Sequence, residues 1–290
     1  MFCIYFNLTT LPATVDGLCL FAQFLSDSSM AHSSIINYVS GIRTLHARLA
    51  LPYPGDSLEL KLVLRGLSRL NPRALRQAAP MTPCILLEMF QLLDVSQALD
   101  AVFWSLFLMA FFTLARKSNL VPTGNDSVDA DRHLKRRDVT VTDFGLLVCF
   151  HWTKTIQFKE RVLEIPLVAM PGHSLCPVRA YLNMIKLVPA SPDSAAFLLP
   201  SRRSVRPVKY KQFLAVLRHL LSGLGLDSSQ YSTHSFRRGG ATFAFHSDVP
   251  ADLIQVQGDW ASDAYRRYID MSLEHRVQVS HRMNMKLMSL

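Results

Sequence analysis

The chain has 290 residues, which at about 150 residues per domain predicts two domains. It is 49% hydrophobic and 18% charged, so wholesale disorder is excluded and real cores are expected. Lys plus Arg outnumber Asp plus Glu by 31 to 22, a net charge of +9 that suggests a polyanionic partner, most often nucleic acid, with a basic but non-binding surface as the alternative.

In chain order, Thr14–Leu25, Ser33–Leu49 and Leu58–Leu70 carry apolar residues at spacings of three and four and predict amphipathic helices. Leu51–Asp56 is a Pro/Gly loop between them, and Asn71–Pro83 gathers prolines and arginines into a linker suited to run over a polyanion. The domains are therefore placed at residues 1–79 and 80–290. Pro83–Leu93 opens the second domain as a helix. Ala101–Ala115 is apolar but only 15 residues long; a membrane span needs about 20, so a buried core helix is expected. Asp138–Thr155 is rich in β-branched and aromatic residues around a turn at Asp143-Phe144-Gly145, and Arg161–Leu167 alternates as a third strand should. Helices return at Val178–Leu187, Tyr210–Leu221, Ser235–Ser247, Ala251–Gln257 and Ser262–Ile269. The fold class is mostly α with a small antiparallel β-sheet. The five cysteines are scattered and form no C-x-x-C pair, which argues against a disulfide scaffold or zinc knuckle and for a reducing compartment. The N-terminus lacks the basic n-region of a signal peptide, and no transmembrane segment is seen.

Several residues carry chemistry. His234 and Arg237 lie three apart on one helix face, with Thr233 placed to cap and Gly239-Gly240 open to a close approach. Such a His/Arg pair suits a phosphate, though a structural helix residue is the alternative for His234. A second H-x-x-R, at His133 and Arg136, reads as a solvated charge run. Tyr265 and Tyr268 flank Arg266 and Arg267; either is surface packing or a nucleophile activated by nearby cations. Arg116 ends the apolar helix, snorkelling to solvent or held inward for an anion. Lys154 sits in a strand beside a turn, as an edge charge or as an acid for a leaving oxygen.

Together these residues resemble the tyrosine recombinase family, the phage integrases and their relatives. The likeness lies in Arg116 within LARKS, Lys154 within TKT, H-x-x-R at His234 and Arg237 followed by two glycines, and Gly258 ten residues before Tyr268. The shapes THSFRRGGAT and GDWASDAYRRYI look most like recombinases of eukaryotic mobile elements. The resemblance covers nearly the whole chain. It implies a helical core-binding domain over residues 1–79, with its first helix missing, and a mixed α/β catalytic domain over 80–290. It also implies strand cleavage without metal or cofactor. Arg116 and Arg237 would grip the non-bridging phosphate oxygens. His234 would donate to phosphate or accept the phenol proton, Tyr268 would attack phosphorus, and Lys154 would protonate the leaving 5′ oxygen. The spacing from Gly258 selects Tyr268 over Tyr265, and that from His234 selects Arg237 over Arg238.

Two positions depart from the pattern. Asp259 follows Gly258 where the family has His or Trp; Trp260, one residue on, is expected to serve instead, and a carboxylate at 259 would repel the scissile phosphate. Asn119 stands where an acidic residue usually supports the first arginine. These departures keep a second reading open, a catalytically decayed or domesticated DNA-binding protein on the same fold. A type IB-like relaxing enzyme is a third. The partner is double-stranded DNA, held mostly by phosphate contacts from Arg43, Arg73, Arg76, Arg202, Arg203, Lys209, Lys211 and Arg238. The resemblance further implies a tetramer on DNA, no membrane association, and residence in the nucleus of a eukaryote or the cytoplasm of a prokaryote.

Overall fold

Thr14 starts the first long helix: its Oγ1 accepts from the Gly17 N–H and satisfies one of the open donors of the first turn. The N-terminal region forms α1 (Phe2–Tyr5), α2 (Val15–Asp27), α3 (His32–Arg48) and α4 (Leu58–Leu70). Leu18, Ala22 and Leu25 of α2 are buried together with Ile35 and Val39 of α3 and Leu60 and Leu67 of α4, the apolar positions of each helix. The computed structural model describes residues 2–70, 77–122, 132–158, 160–201, 204–269 and 273–289. Its contacts divide the chain into two units, Met1–Arg76 and Gln77–Leu290.

The second unit is built around α6 (Ala98–Phe112), in which every residue from Ala101 to Phe111 is buried. It follows α5 (Pro83–Gln91), which Thr82 caps through the Ile85 N–H. The apolar run was expected to stay helical to Ala115. It stops at Phe112 because Leu114 takes a left-handed φ of +51°, and α7 (Lys117–Leu120) then begins with Arg116 at its N-cap. The expected sheet is present as β1 (Val139–Val141), β2 (Gly145–Phe150) and β3 (Leu163–Val168), antiparallel in the order β1-β2-β3. Leu163, Ile165 and Leu167 face the core while Glu164, Pro166 and Val168 face outward, as the period of two requires. The strands end sooner than expected, so Lys154 is in the β2–β3 connection and not in a strand.

After α8 (Pro177–Leu187) comes a small hairpin that the sequence did not reveal, β4 (Leu198–Pro200) and β5 (Val205–Pro207). Each strand has three residues and one proline, which hides the strand pattern. The chain continues through α9 (Tyr210–Gly223), α10 (His234–His246), α11 (Ala251–Gln257) and α12 (Leu273–Met288). The predicted helix over Ser262–Ile269 is only a short 3₁₀ turn, Asp263–Arg267. The charge run around His133 is not wholly solvated: Lys135 and Arg136 are buried, and Arg136 Nη2 donates to the Val188 carbonyl at 3.1 Å. Among the described residues no helix is long and apolar enough to cross a membrane.

The glycine pair of α10 makes the close approach its sequence suggested. A Cβ on Gly239 would lie 1.7 Å from the Met81 carbonyl oxygen, and one on Gly240 2.2 Å from that of Phe111. In an open helix Gly239→Ala would stabilise by about 1 kcal/mol. Here the neighbour is backbone and cannot yield, so the sign reverses. We expect a net loss of about 2 kcal/mol, read as a fall in melting temperature of roughly 4–8 °C. A raised melting temperature would contradict this packing.

Candidate active site

Arg237 is the centre of the site. It is 1% exposed, and its Nη2 donates to the Gly258 carbonyl at 2.6 Å while Nη1 donates to the Leu114 carbonyl. Both acceptors come from interrupted helices. Leu114 turns left-handed where α6 stops. At the end of α11, the N–H of Asp259 bonds the Val256 carbonyl at 3.0 Å and that of Trp260 bonds the Gln255 carbonyl at 3.1 Å, a Schellman closure with Asp259 at φ +53°. Trp260 then folds back so that its ring lies 3.7 Å from the Arg237 guanidinium carbon. Gly258 makes this possible, because a Cβ there would meet the indole at 1.7 Å. Burial, and after it the like charge of Arg116, pulls the Arg237 pKa down to about 9, with the Tyr268 phenol and the Asp259 carboxylate pulling upward. The group remains protonated at neutral pH.

Tyr268 follows the 3₁₀ turn. Its ring is 5.2 Å from the Trp260 ring and 5.4 Å from the Arg237 guanidinium carbon, and its carbonyl accepts from Thr242 Oγ1 at 3.0 Å. Tyr268 is half-buried, whereas Tyr265 is 5% exposed and packs with Leu114, Ala241, Ile254 and Trp260. His234, at the first turn of α10, lines one open cavity with Arg238, Arg267 and Tyr268. His234 is exposed, but partial packing around its ring, and after it the charges of Lys117, Arg237 and Arg116, lowers its pKa, which favours the neutral imidazole, the form able to accept a proton. Thr233 was expected to cap α10, but it lies in the helical region itself and its side chain makes no cap hydrogen bond.

Arg116 meets the group through Asp259, with Nη1 3.7 Å from Oδ2. Asp259 is itself 5% exposed, and its carboxylate accepts from the Thr153 and Thr155 hydroxyls and from Arg161. Burial alone would raise its pKa; the hydrogen bonds from Thr153, Thr155 and Arg161 overcome that and hold it below the usual carboxylate value. The carboxylate is thus engaged by hydroxyls and guanidiniums and is not a bare negative charge. Asn119 does not support Arg116; its Nδ2 donates to the Trp152 carbonyl at 2.7 Å. Lys154 is exposed between the two threonines that hold Asp259.

The structure therefore brings Arg116, Arg237, Trp260 and Tyr268 together, with His234 on the adjoining cavity and Lys154 on a tethered loop. Of the expected DNA contacts, Lys209 and Lys211 are exposed at the start of α9. Arg43 is paired with Asp56 at 2.6 Å, and Arg238 Nη1 is bound to the Ala78 carbonyl at 2.9 Å. Arg73, Arg76, Arg202 and Arg203 lie outside the described residues. Sequence reasoning missed Thr153, Thr155 and Arg161; the signal was the hydroxyl on each side of Lys154.

Comparison with known proteins bears on the fold. No family model matches the chain. It is 22% identical over 274 residues to an integrase/recombinase xerD homolog of Selenomonas ruminantium, covering 92% of this chain and 76% of that protein. Among solved structures, it is similar to the Tn1549 transposon integrase in complex with transposon right end DNA, with a TM-score of 0.64, 11% identity, and 94% of this chain and 86% of that one covered. It is also similar to the XerH site-specific recombinase bound to a palindromic difH substrate, with a TM-score of 0.60, 16% identity, and coverage of 96% and 76%. The chain has the tyrosine recombinase fold. Within that fold the expected mixture of helices and a small antiparallel sheet is found, and Arg116, Arg237, Trp260 and Tyr268 meet at one place in it.

Proposed function

We propose that this chain is a site-specific tyrosine recombinase that cuts and rejoins double-stranded DNA through a 3′-phosphotyrosyl intermediate. The observation that carries the reading is the Tyr268 ring beside a buried guanidinium, 5.4 Å from Arg237, with Arg116 near that guanidinium and His234 lining the same cavity as Tyr268. A phenol is protonated at neutral pH, so its attack needs a proton acceptor and an electrophile whose developing charge is stabilised. His234 takes the phenol proton as Tyr268 Oη bonds to phosphorus. Arg116 and Arg237 stabilise the negative charge on the non-bridging oxygens; Arg237 gives one N–H of each Nη to a carbonyl and contributes its charge and its remaining donors. The bond from phosphorus to the 5′ oxygen breaks, and Lys154 donates the proton that oxygen needs. The phosphotyrosyl bond keeps the leaving-group free energy, so another 5′ hydroxyl can reverse the attack.

Residues 1–79 act as the core-binding domain and 80–290 as the catalytic one in this reading. A tetramer on DNA, a eukaryotic mobile-element source and a nuclear site of action belong to it as well, the source resting on the motif shapes around His234 and Tyr268. The deciding assay incubates the chain with a nicked duplex selected by its affinity from a random pool. A covalent protein–DNA adduct is expected. Tight binding with no adduct would favour the decayed DNA-binding protein, and relaxation of supercoiled plasmid with no target site would favour the topoisomerase-like reading.

Lys154→Ala separates the acid from the scaffold. We expect cleavage to slow by about 10² to 10⁴-fold with binding kept, and a duplex with sulfur at the scissile 5′-bridging position, which leaves without a proton, to restore the rate. Equal slowing on both duplexes would remove Lys154 from the acid role.

A further inference from the structure

Asp259 occupies a backbone position that favours glycine. The Schellman closure of α11 puts it at φ +53°, where a side chain costs roughly 1–2 kcal/mol. A buried carboxylate adds a further cost unless it is paired. Its contacts all converge on one purpose. The oxygen Oδ2 accepts from Thr153 and Thr155, the residues on either side of Lys154, and Oδ1 accepts from Arg161 farther along the same β2–β3 connection. Arg116 Nη1 approaches Oδ2 at 3.7 Å. Asn119, three residues after Arg116, donates to the Trp152 carbonyl at 2.7 Å, which a carboxylate cannot do. The segment Trp152–Thr155 is therefore held from both sides, and the negative charge absent at 119 stands beside Arg116 from 259.

We infer that Asp259 is a positioning residue that fixes the Lys154 loop against Arg116, and that Asn119 and Asp259 are one compensating rearrangement and not two lesions. The inference rests on Lys154 being the acid of the proposed reaction. It predicts that disturbing the tether harms proton donation, so the harm should vanish when no proton is needed.

The test uses the full chain with the selected nicked duplex, made with oxygen or sulfur at the scissile 5′-bridging position, and reads the rate of adduct formation at saturating protein. The Thr153→Val/Thr155→Val double variant removes two hydrogen bonds from Asp259 and leaves Arg116 in place. We expect it to slow the oxygen duplex by about 10- to 100-fold and to come within about threefold of wild type on sulfur. Thr153→Ser/Thr155→Ser, which keeps the hydroxyls, should hold the wild-type rate. Asp259→Asn should be slow on both duplexes but less so on sulfur, because Arg116 is disturbed too. If the valine pair lowers the folded fraction, the half-buried Thr155→Val alone carries the same comparison. The inference is overturned if the valine variants keep full rate, if they are slowed equally on both duplexes, or if Asp259→His raises activity. Lys154→Ala on the same duplexes distinguishes the failures. Rescue of Lys154→Ala without rescue of the valine variants defeats only the tether, and no rescue of Lys154→Ala defeats the acid role and the tether with it.

Discussion

Tyr268→Phe is expected to abolish the covalent adduct while the protein stays folded and bound to DNA. Apart from a hydrogen bond between its hydroxyl and Arg237, the contacts that hold this residue use its backbone and ring. Its N–H bonds the Tyr265 carbonyl at 2.8 Å, its carbonyl accepts from Thr242, and its ring packs 5.2 Å from Trp260. A phenylalanine keeps all three. What it loses is the only oxygen in the proposal able to displace the 5′ leaving group. The matched control is Tyr265→Phe. That ring is 5% exposed in a small core with Leu114, Ala241 and Ile254, so loss of its hydroxyl should leave the adduct intact. The measurement is a denaturing gel of labelled nicked duplex beside a binding curve and a thermal melt. An adduct persisting in Tyr268→Phe and lost in Tyr265→Phe would exchange the two assignments.

The fold was legible because its elements follow strong local rules. The run Ala101–Phe111 is apolar on every side and became the buried central helix, and the alternation of Arg161–Leu167 became β3. The end of α6 was not legible. Nothing in the sequence marks Leu114 for a left-handed turn; that conformation is held by the tertiary contact with Arg237. The 3₁₀ turn at Asp263–Arg267 and the hairpin of β4 and β5 were missed because three to five residues carry too little periodicity. The candidate site was legible in part. The order of Arg116, Lys154, His234, Arg237 and Tyr268 pointed to it. In the sequence alone Asp259 stands as a charge facing the phosphate, because one-dimensional spacing does not show that Thr153, Thr155 and Arg161 fold over its carboxylate. A charge is harmful or useful according to its partners, and here those partners are about 100 residues away in sequence.

Arg237 should show the largest joint loss of stability and activity. Arg237→Ala removes the donors of two buried carbonyls, Leu114 and Gly258, each left unsatisfied at about 1–3 kcal/mol, and takes away the cation stacked on Trp260. It also removes a charge that burial disfavours, which offsets part of that loss. The carbonyl and stacking terms are larger in sum, so a net destabilisation of about 2–3 kcal/mol is expected, or roughly 5–10 °C in the melt. Cleavage, measured well below the melt so that only folded protein is counted, should fall by at least about 10² to 10³-fold, since a preorganised donor to the transition-state charge is gone. Arg237→Lys discriminates the two roles. An ammonium keeps the charge but cannot span both carbonyls, so the melt should recover part-way while cleavage stays low. If instead the lysine variant cleaves at the wild-type rate, charge alone suffices and the fork is structural. If the alanine variant melts normally, the carbonyls of Leu114 and Gly258 do not depend on Arg237, and the two left-handed turns at 114 and 259 must be held by something other than this guanidinium.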